Sequence, residues 1–482
     1  MPKYLRAYSP AFPNSSLSME INSTSNKRLW LTSALAVASF VPTLFFYYVG
    51  EEAIFPISSM EMWHTQQWTR QLLYGLDVQH PPFYNWLIMP LANLFGWAHV
   101  LEVARAITVS ATLLSTVVLA WFARRLFHDD QFALLAAVIY LTLADVLLYR
   151  GWLAYVDPLF ALFVFASMAA LMVAAREQST RWLLLAVLAL TLAFMSKALT
   201  AYVFYGTAWF VLLWNREQRK FLLGAPALLI HVAALAIPFV WFVLAGNPGQ
   251  GTRMFGEILA KLTAGGLLPY LEQVALFPLE TLLRLSPALP LAIYFLSRKR
   301  QRLWLPETEP LIFKTLVVTT LLCYLPYWLS PRSSIRYILP LCPLFALLAA
   351  RLIWRAGEAA TKLSERWLWG MIALKFVVVL AVFPYYQREF RGENYLLAAK
   401  DIISRSAGHA LYVTDVSASG LSVAAYIDSL RHPLPPLQWV PTQWDSGFVI
   451  AYTLDPALGQ LSHKYQLGGN ELYLLCRGSA CK

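Results

Sequence analysis

Charge is scarce in this sequence. Of 482 residues only 13% are Asp, Glu, Lys or Arg, about half the ~25% of an ordinary soluble domain. The deficit is concentrated in repeated apolar runs of about 20 residues, the length that crosses a bilayer. A chain that folds wholly in water is therefore excluded. Cysteine is also scarce. Cys323 and Cys342 lie in apolar runs and read as inert small hydrophobes. Cys476 and Cys481 stand close together in the tail and can pair in an oxidising compartment. No Cys-x-x-Cys or Cys/His spacing is present, which argues against a structural zinc site. There is no internal repeat of the kind a transporter of this size often carries. Acidic residues are outnumbered, 27 against 38 basic ones, giving a net charge of +11. In a soluble chain that excess would suggest nucleic acid. Here the basic residues cluster between apolar runs, as the positive-inside rule requires, and no nucleic-acid partner is expected.

The apolar runs predict spans at about 29–49, 103–124, 131–149, 157–175, 182–196, 199–214, 221–245, 276–297, 311–329, 337–353 and 367–386. The expected fold is an all-α polytopic bundle of about 11–13 transmembrane helices with a small C-terminal α/β domain outside the cytoplasm. Residues 1–26, rich in Ser, Asn and Pro, read as a disordered cytoplasmic N-terminus, and Leu29 to Gly50 as an uncleaved signal anchor. The membrane module covers 27–387 and the tail 388–482. Basic clusters at Lys27-Arg28, Arg124-Arg125, Arg176/Arg181, Arg216–Lys220, Arg298–Arg302 and Arg351–Arg366 all fall on one side of this threading. That side is expected to be the cytoplasm of a bacterial inner membrane, which leaves the tail periplasmic. The run 84–97, interrupted by Pro90, reads as half-inserted. Residues 56–76, with Trp63 and Trp68, read as a helix lying in the interface, within an outer loop 50–83.

The loops sorted to the outer face hold most polar residues that can do chemistry. Glu51 and Glu52 stand where the first span leaves the bilayer. They either end a helix or supply a general base. His80 precedes Pro81-Pro82, which fix a rigid extended turn. Arg150 and Asp157 flank one short loop, and Asp157-Pro158 by itself suits a helix start. Lys197 separates two short apolar runs. It either snorkels to headgroups or binds an anion. Arg332 and Arg336, with Ser333 and Ser334 between them, can clamp a phosphate. Each feature alone is weak. Together they fit a lipid phosphate held by cations beside a carboxylate that activates a hydroxyl.

An ordered set of motifs over about 50–345 resembles the GT-C glycosyltransferases, most closely the branch of the lipid A aminoarabinose transferases and protein O-mannosyltransferases. Glu51-Glu52 stands where that family has Asp-Glu, and His80-Pro81-Pro82, followed by Tyr84-Asn85-Trp86, stands where it has Lys-Pro-Pro. Arg105 opens the next span. Asp157-Pro158 matches the second acidic loop, Ser196-Lys197 a Lys-Gly element, and Arg336-Tyr337-Ile338-Leu339-Pro340 a Tyr-Leu-Pro element. The resemblance implies inverting transfer from a polyprenyl-phosphate sugar to an acceptor hydroxyl on a glycan, lipid or protein. Glu51 would be the base, with Glu52 or Asp157 as alternatives. His80, Lys197, Arg332 and Arg336 would lie at the donor phosphate, and Tyr84, Arg105, Arg150 and Tyr337 elsewhere in the pocket. Glu in place of Asp lengthens the first arm by one methylene, and His in place of Lys is only partly charged at neutral pH. No metal ligand and no cofactor is assigned, and dependence on a divalent cation is left open. The partners expected are the lipid-linked sugar, its acceptor and membrane lipids. The competing class is a transporter or flippase, which would want charges deep in the spans. His231, Glu280 with Arg284, and Lys375 are the few deep candidates, and they read as a bundle-stabilising pair and isolated residues.

Overall fold

The computed structural model describes residues 21–78, 80–245, 256, 266–298, 310–331, 333–389 and 394–481. Arg332 and the N-terminal 20 residues lie outside the described residues. Among the described residues, seven helical segments are long and apolar enough to cross a membrane, and a bent pair makes an eighth. Three shorter apolar helices, 130–141, 180–196 and 200–212, complete the set. Each of the eleven predicted spans falls on one of these segments.

The order begins with α1 (Ile21–Ala38) and a 3₁₀ turn at Val41–Phe45. Next come α2 (Ile54–Thr65), the hairpin β1 (Gln71–Leu73) and β2 (Leu76–Val78), and α3 (Phe83–Phe95). The bundle continues through α4 (Val100–Phe127), α5 (Asp130–Leu141), a π-helical turn at Asp145–Arg150, α6 (Asp157–Glu177), α7 (Thr180–Ser196) and α8 (Thr200–Leu212). It then runs through α9 (Arg216–Leu222), α10 (Ala225–Leu244), α11 (Leu267–Arg284) and α12 (Ala288–Arg298). After α13 (Pro310–Trp328), a 3₁₀ segment at Ile335–Leu341 leads into α14 (Cys342–Arg355). The membrane part ends with α15 (Glu358–Val377), a π turn and α16 (Phe383–Glu389).

Burial separates the centre of the bundle from its rim. In α6, 89% of the spanning window is buried, against 17% in α10. Phe165 of α6 packs with Phe122 and Phe132 in the main core, while α10 turns Leu229, Phe239 and Val243 outward. In water so large an apolar surface would be a liability. In a bilayer it is the surface that lipid covers.

Two expectations are corrected. The predicted span 276–297 is not one helix. α11 and α12 meet at 103°, because Pro287 cannot continue the hydrogen-bond ladder of α11. The predicted interfacial helix 56–76 ends at Thr65, and residues 71–78 form the β1–β2 hairpin instead. Its turn places Tyr74 at φ 56° and Gly75 at φ 81°, the two positive values that a tight type I′ hairpin needs.

The tail is the expected α/β unit. Helices α17 (Tyr395–Arg405) and α18 (Ala418–Arg431) pack on a five-stranded sheet. Its strands are β3 (Leu411–Val413), β4 (Gln438–Trp439), β5 (Gly447–Ala451), β6 (Gln460–Leu467) and β7 (Asn470–Arg477), in the order β4-β3-β5-β7-β6. β3 is parallel to β4 and β5, and the β5-β7-β6 part is antiparallel. Cys476 and Cys481 form a disulfide at its end. The tail docks on the segment after the first span. Glu61 of α2 accepts from the Gly75 amide at 2.6 Å and from Gln438 Nε2 at 3.3 Å. The Trp439 amide donates to the Tyr74 carbonyl at 3.1 Å. Tyr48 meets Tyr426 with ring centres 5.0 Å apart, and Trp97 stacks on His432 at 5.5 Å. A single apolar core therefore runs from α2, α3 and α4 into the tail.

Candidate functional site

Four chain segments converge at one end of the bundle: the turn after the first span, the turn before α6, the end of α7 and the 3₁₀ segment before α14. α6 and α7 are antiparallel neighbours, so the first residue of α6 and the residue after α7 stand together. Asp157 opens α6, where the helix dipole favours an anion, and Lys197 caps α7, where it favours a cation. Their side chains form a charge-assisted hydrogen bond. Lys197 Nζ also lies 5.4 Å from the centre of the Tyr337 ring and 6.0 Å from that of Phe160. The Arg336 guanidinium sits 5.2 Å from the same Tyr337 ring, and Arg336 Nη2 donates to Tyr337 Oη at 3.4 Å. Arg336 Nε is buried and, among the described residues, has no hydrogen-bond partner. His80 Nδ1 lies 3.2 Å from the Lys197 carbonyl. A carbonyl only accepts, so that nitrogen carries the proton.

The two glutamates after the first span have different surroundings. Glu52 is fully buried and fully engaged. It takes Arg105 Nε at 2.9 Å and Nη2 at 2.7 Å. It also takes the amides of Val49 and Ala154, each at 2.7 Å. The same guanidinium donates to the carbonyls of Thr43 at 3.0 Å, Phe46 at 2.6 Å and Tyr47 at 2.9 Å. The Glu52–Arg105 pair thus ties the end of the first span, α4 and the turn before α6 together. Glu51 is exposed. Its amide donates to Tyr155 Oη at 3.0 Å, and among the described residues its carboxylate takes no hydrogen bond. Arg336 lies within electrostatic reach of both Glu51 and Asp157. Tyr84 is buried behind this layer and donates to the Ala104 carbonyl at 2.9 Å, so it supports α4.

Arg150 faces a second group of charges. Its Nε lies 3.3 Å from Asp145 Oδ1, and Arg284 Nη1 donates to the same oxygen at 3.0 Å. Glu280 accepts from Arg284 Nη2 at 3.3 Å. Sequence spacing exposes the Glu280–Arg284 pair, but the partnership with Asp145, 139 positions away, has no local signal. Tyr155 was likewise not singled out by its sequence context. Among the described residues, no group of three or more His, Cys, Asp or Glu side chains could hold a metal ion.

Residues 79–244 match the family model described as dolichyl-phosphate-mannose-protein mannosyltransferase. An undecaprenyl phosphate-α-4-amino-4-deoxy-L-arabinose arabinosyl transferase of Erwinia tasmaniensis is 29% identical over 293 residues, 57% of this chain and 51% of that protein. A relative of the same description from Pseudomonas fluorescens is 26% identical over 45% of this chain and 40% of its own length. The match thus spans about half the length of these relatives or less. The crystal structure of ArnT from Cupriavidus metallidurans bound to undecaprenyl phosphate superposes with a TM-score of 0.67 at 15% identity, covering 95% of this chain and 99% of that one. The archaeal oligosaccharyltransferase AglB from Archaeoglobus fulgidus gives 0.54 at 10% identity, over 85% of this chain and 64% of its own. The chain is a multi-pass membrane protein with the fold of ArnT, and its sequence is similar to arabinosyl transferases and, over 79–244, to the protein-mannosyltransferase family model.

Proposed function

We propose that this chain is an inverting glycosyltransferase that moves a sugar from a polyprenyl-phosphate donor to an acceptor hydroxyl. The observation that carries the reading is the buried, unpartnered Arg336 Nε beside Lys197 and Tyr337. A buried N–H without an acceptor costs about 1–3 kcal/mol. An anionic ligand there removes that penalty, and the donor phosphate has the charge and the site to do so. Arg336 and Lys197 hold the phosphate, Asp157 orients Lys197, and His80 braces the Lys197 backbone. Arg332 belongs to the same stretch of sequence. Glu51 is the base rather than Glu52, whose oxygens are already committed to Arg105 and two amides. Glu51 takes the proton of the acceptor hydroxyl. The oxygen then attacks the anomeric carbon from the face opposite the phosphate, and the bond from that carbon to the phosphate oxygen breaks. The electron pair leaves with the phosphate, whose charge the two cations neutralise.

A polyprenyl donor is met in the bilayer, whereas a hydrophilic acceptor arrives from water, so a site at the membrane rim serves both. The side on which the basic clusters fall supports a rim on the periplasmic face of an inner membrane, with the N-terminus in the cytoplasm and the tail outside. The likeness to an arabinosyl transferase and to a structure bound to undecaprenyl phosphate supports the donor class. The test is Glu51→Gln. Transfer, followed by mass spectrometry of envelope lipids and glycans, is expected to fall by about 100-fold or more, in keeping with the ~10²–10⁴ range for a general base. Binding of undecaprenyl phosphate is expected to persist. Full activity in this variant removes Glu51 from the mechanism.

A further inference from the structure

A cavity of about 360 Å³ opens beside the centre just described. One wall is a single face of α11: Pro269, Gln273, Leu276, Glu280 and Arg284 follow at intervals of three and four, with Glu272 and Phe277 on its flanks. The other wall is the short segment Pro331, Ser333, Ser334 and Ile335, which runs directly into Arg336 and Tyr337. Arg150 closes the third side, and its charge also reaches Asp157. The cavity therefore touches the centre at two edges. Yet Glu51, Asp157, Lys197, Arg336 and Tyr337 are not among its lining residues.

Its chemistry is mixed in a particular way. Guanidinium donors, carboxylate acceptors and two hydroxyls alternate with the apolar surfaces of Leu276, Phe277 and Ile335. The charges balance closely. Arg150 and Arg284 share the buried Asp145, Arg284 also holds Glu280, and both guanidiniums lie over the Tyr149 ring, at 5.3 and 5.6 Å. A site so compensated has no strong pull on a free anion or cation. It offers many directional donors and acceptors beside C–H-compatible surfaces, which is what a ring of vicinal hydroxyls requires. The volume is at the low end for small-molecule pockets, ~300–1,000 Å³, and suits one or two sugar rings better than a folded polypeptide.

The geometry points to the face of α11 and Ser333-Ser334 as a saccharide-binding subsite for the acceptor. This rests on the glycosyl-transfer reading above. The sugar of the donor is joined to its phosphate through a single oxygen and so stays next to Lys197 and Arg336. The units of an acceptor that do not react extend away from the attacked carbon, and the cavity lies next to the reacting groups without containing them. The acceptor is accordingly a glycan or glycolipid, and a peptide is disfavoured.

The experiment uses the full chain in lipid nanodiscs and two probes: undecaprenyl phosphate, and the water-soluble saccharide released from lipopolysaccharide by complete deacylation. Each dissociation constant is measured by calorimetry. Leu276→Trp, which fills the cavity, is expected to weaken saccharide binding at least tenfold. Glu272→Ala, on its exposed side, is expected to weaken it about three- to tenfold, and undecaprenyl phosphate binding should hold in both variants. The proposal is overturned if the variants bind the saccharide like the parent protein, or if lipid phosphate binding falls in parallel. It is also overturned if the parent binds undecaprenyl phosphate but not the saccharide, a result that leaves the transferase reading standing. Failure of the parent to bind undecaprenyl phosphate counts against that reading itself.

Discussion

Neighbouring glutamates can have opposite duties because burial decides what a carboxylate is available for. Glu52 and Arg105 are both inaccessible, and each satisfies nearly every hydrogen-bonding position of the other or of the nearby backbone. Removing one member of such a pair leaves a buried charge without compensation, which costs about 3–5 kcal/mol. Arg105→Met is therefore expected to lower thermal stability in detergent sharply. Arg105→Lys should recover only part of it, since an ammonium cannot reproduce the planar fork that reaches Glu52 and four carbonyls at once. Glu51→Gln, on an exposed side chain, should melt like the parent protein. Equal melting of all three variants would show that the buried pair carries no structural load. Sequence singled out Glu51, Glu52 and Arg105, but the pairing of Glu52 with Arg105 spans 53 positions and no local pattern encodes it. Likewise Asp157-Pro158 reads locally as a helix start. Only the antiparallel packing of α6 on α7 gives that carboxylate a lysine partner.

At the scale of elements, apolar length made the spans legible, since lipid imposes a minimum run on any helix that crosses it. The same criterion hid the break between α11 and α12, because both arms are apolar and the run does not change composition where Ser286-Pro287 interrupts it. The β1–β2 hairpin was hidden for a different reason. Its turn is Tyr74-Gly75, not the Asn-Gly that advertises such a turn, and Tyr74 is held there by tertiary packing against Trp439. The turn that ends the first span makes a testable case. Gly50 has φ +62°, and a Cβ added there would lie 2.8 Å from Tyr155 Oη. Gly50→Ala must displace the hydroxyl that receives the Glu51 amide. Small misplacements of a reacting group cost up to ~10²-fold in rate, so kcat is expected to fall on the order of 10- to 100-fold while undecaprenyl phosphate affinity stays within about twofold. An unchanged kcat would mean that the turn does not set the position of Glu51.

The whole molecule adds a dependence on protons that neither part has alone. Asp428 of α18 is buried, and burial pushes its carboxyl up to about 7. Its Oδ1 accepts the Leu437 amide at 2.8 Å, while Oδ2 has no partner among the described residues. The ionisable groups that face it are Arg431 on its own helix, Glu61 on α2 and Tyr74 in the hairpin. Glu61 is itself raised by burial, the bonds from Gln438 and Gly75 only partly opposing the shift. Both acids thus hold protons more tightly in the docked, folded tail than in an unfolded one, where an Asp titrates near ~3.9. The sign follows from linkage. A raised folded value contributes stability that is complete below the unfolded value and is lost as pH rises through the folded one. For Asp428 that window runs from about 4 to about 7. Hydrogen exchange of 411–451, corrected for intrinsic rates, should therefore show greater protection at pH 5 than at pH 8. Asp428→Asn, which donates at every pH, should flatten most of the profile, leaving the smaller slope due to Glu61 and Asp415, both of which burial also raises. Protection that rises with pH, or a profile that Asp428→Asn does not alter, would mean that these acids do not govern how the tail is held. Since the tail rests on α2 and the hairpin, which follow directly from the turn presenting Glu51, loosening it at high pH should also lower transfer. That loss should be smaller in Asp428→Asn than in the parent protein.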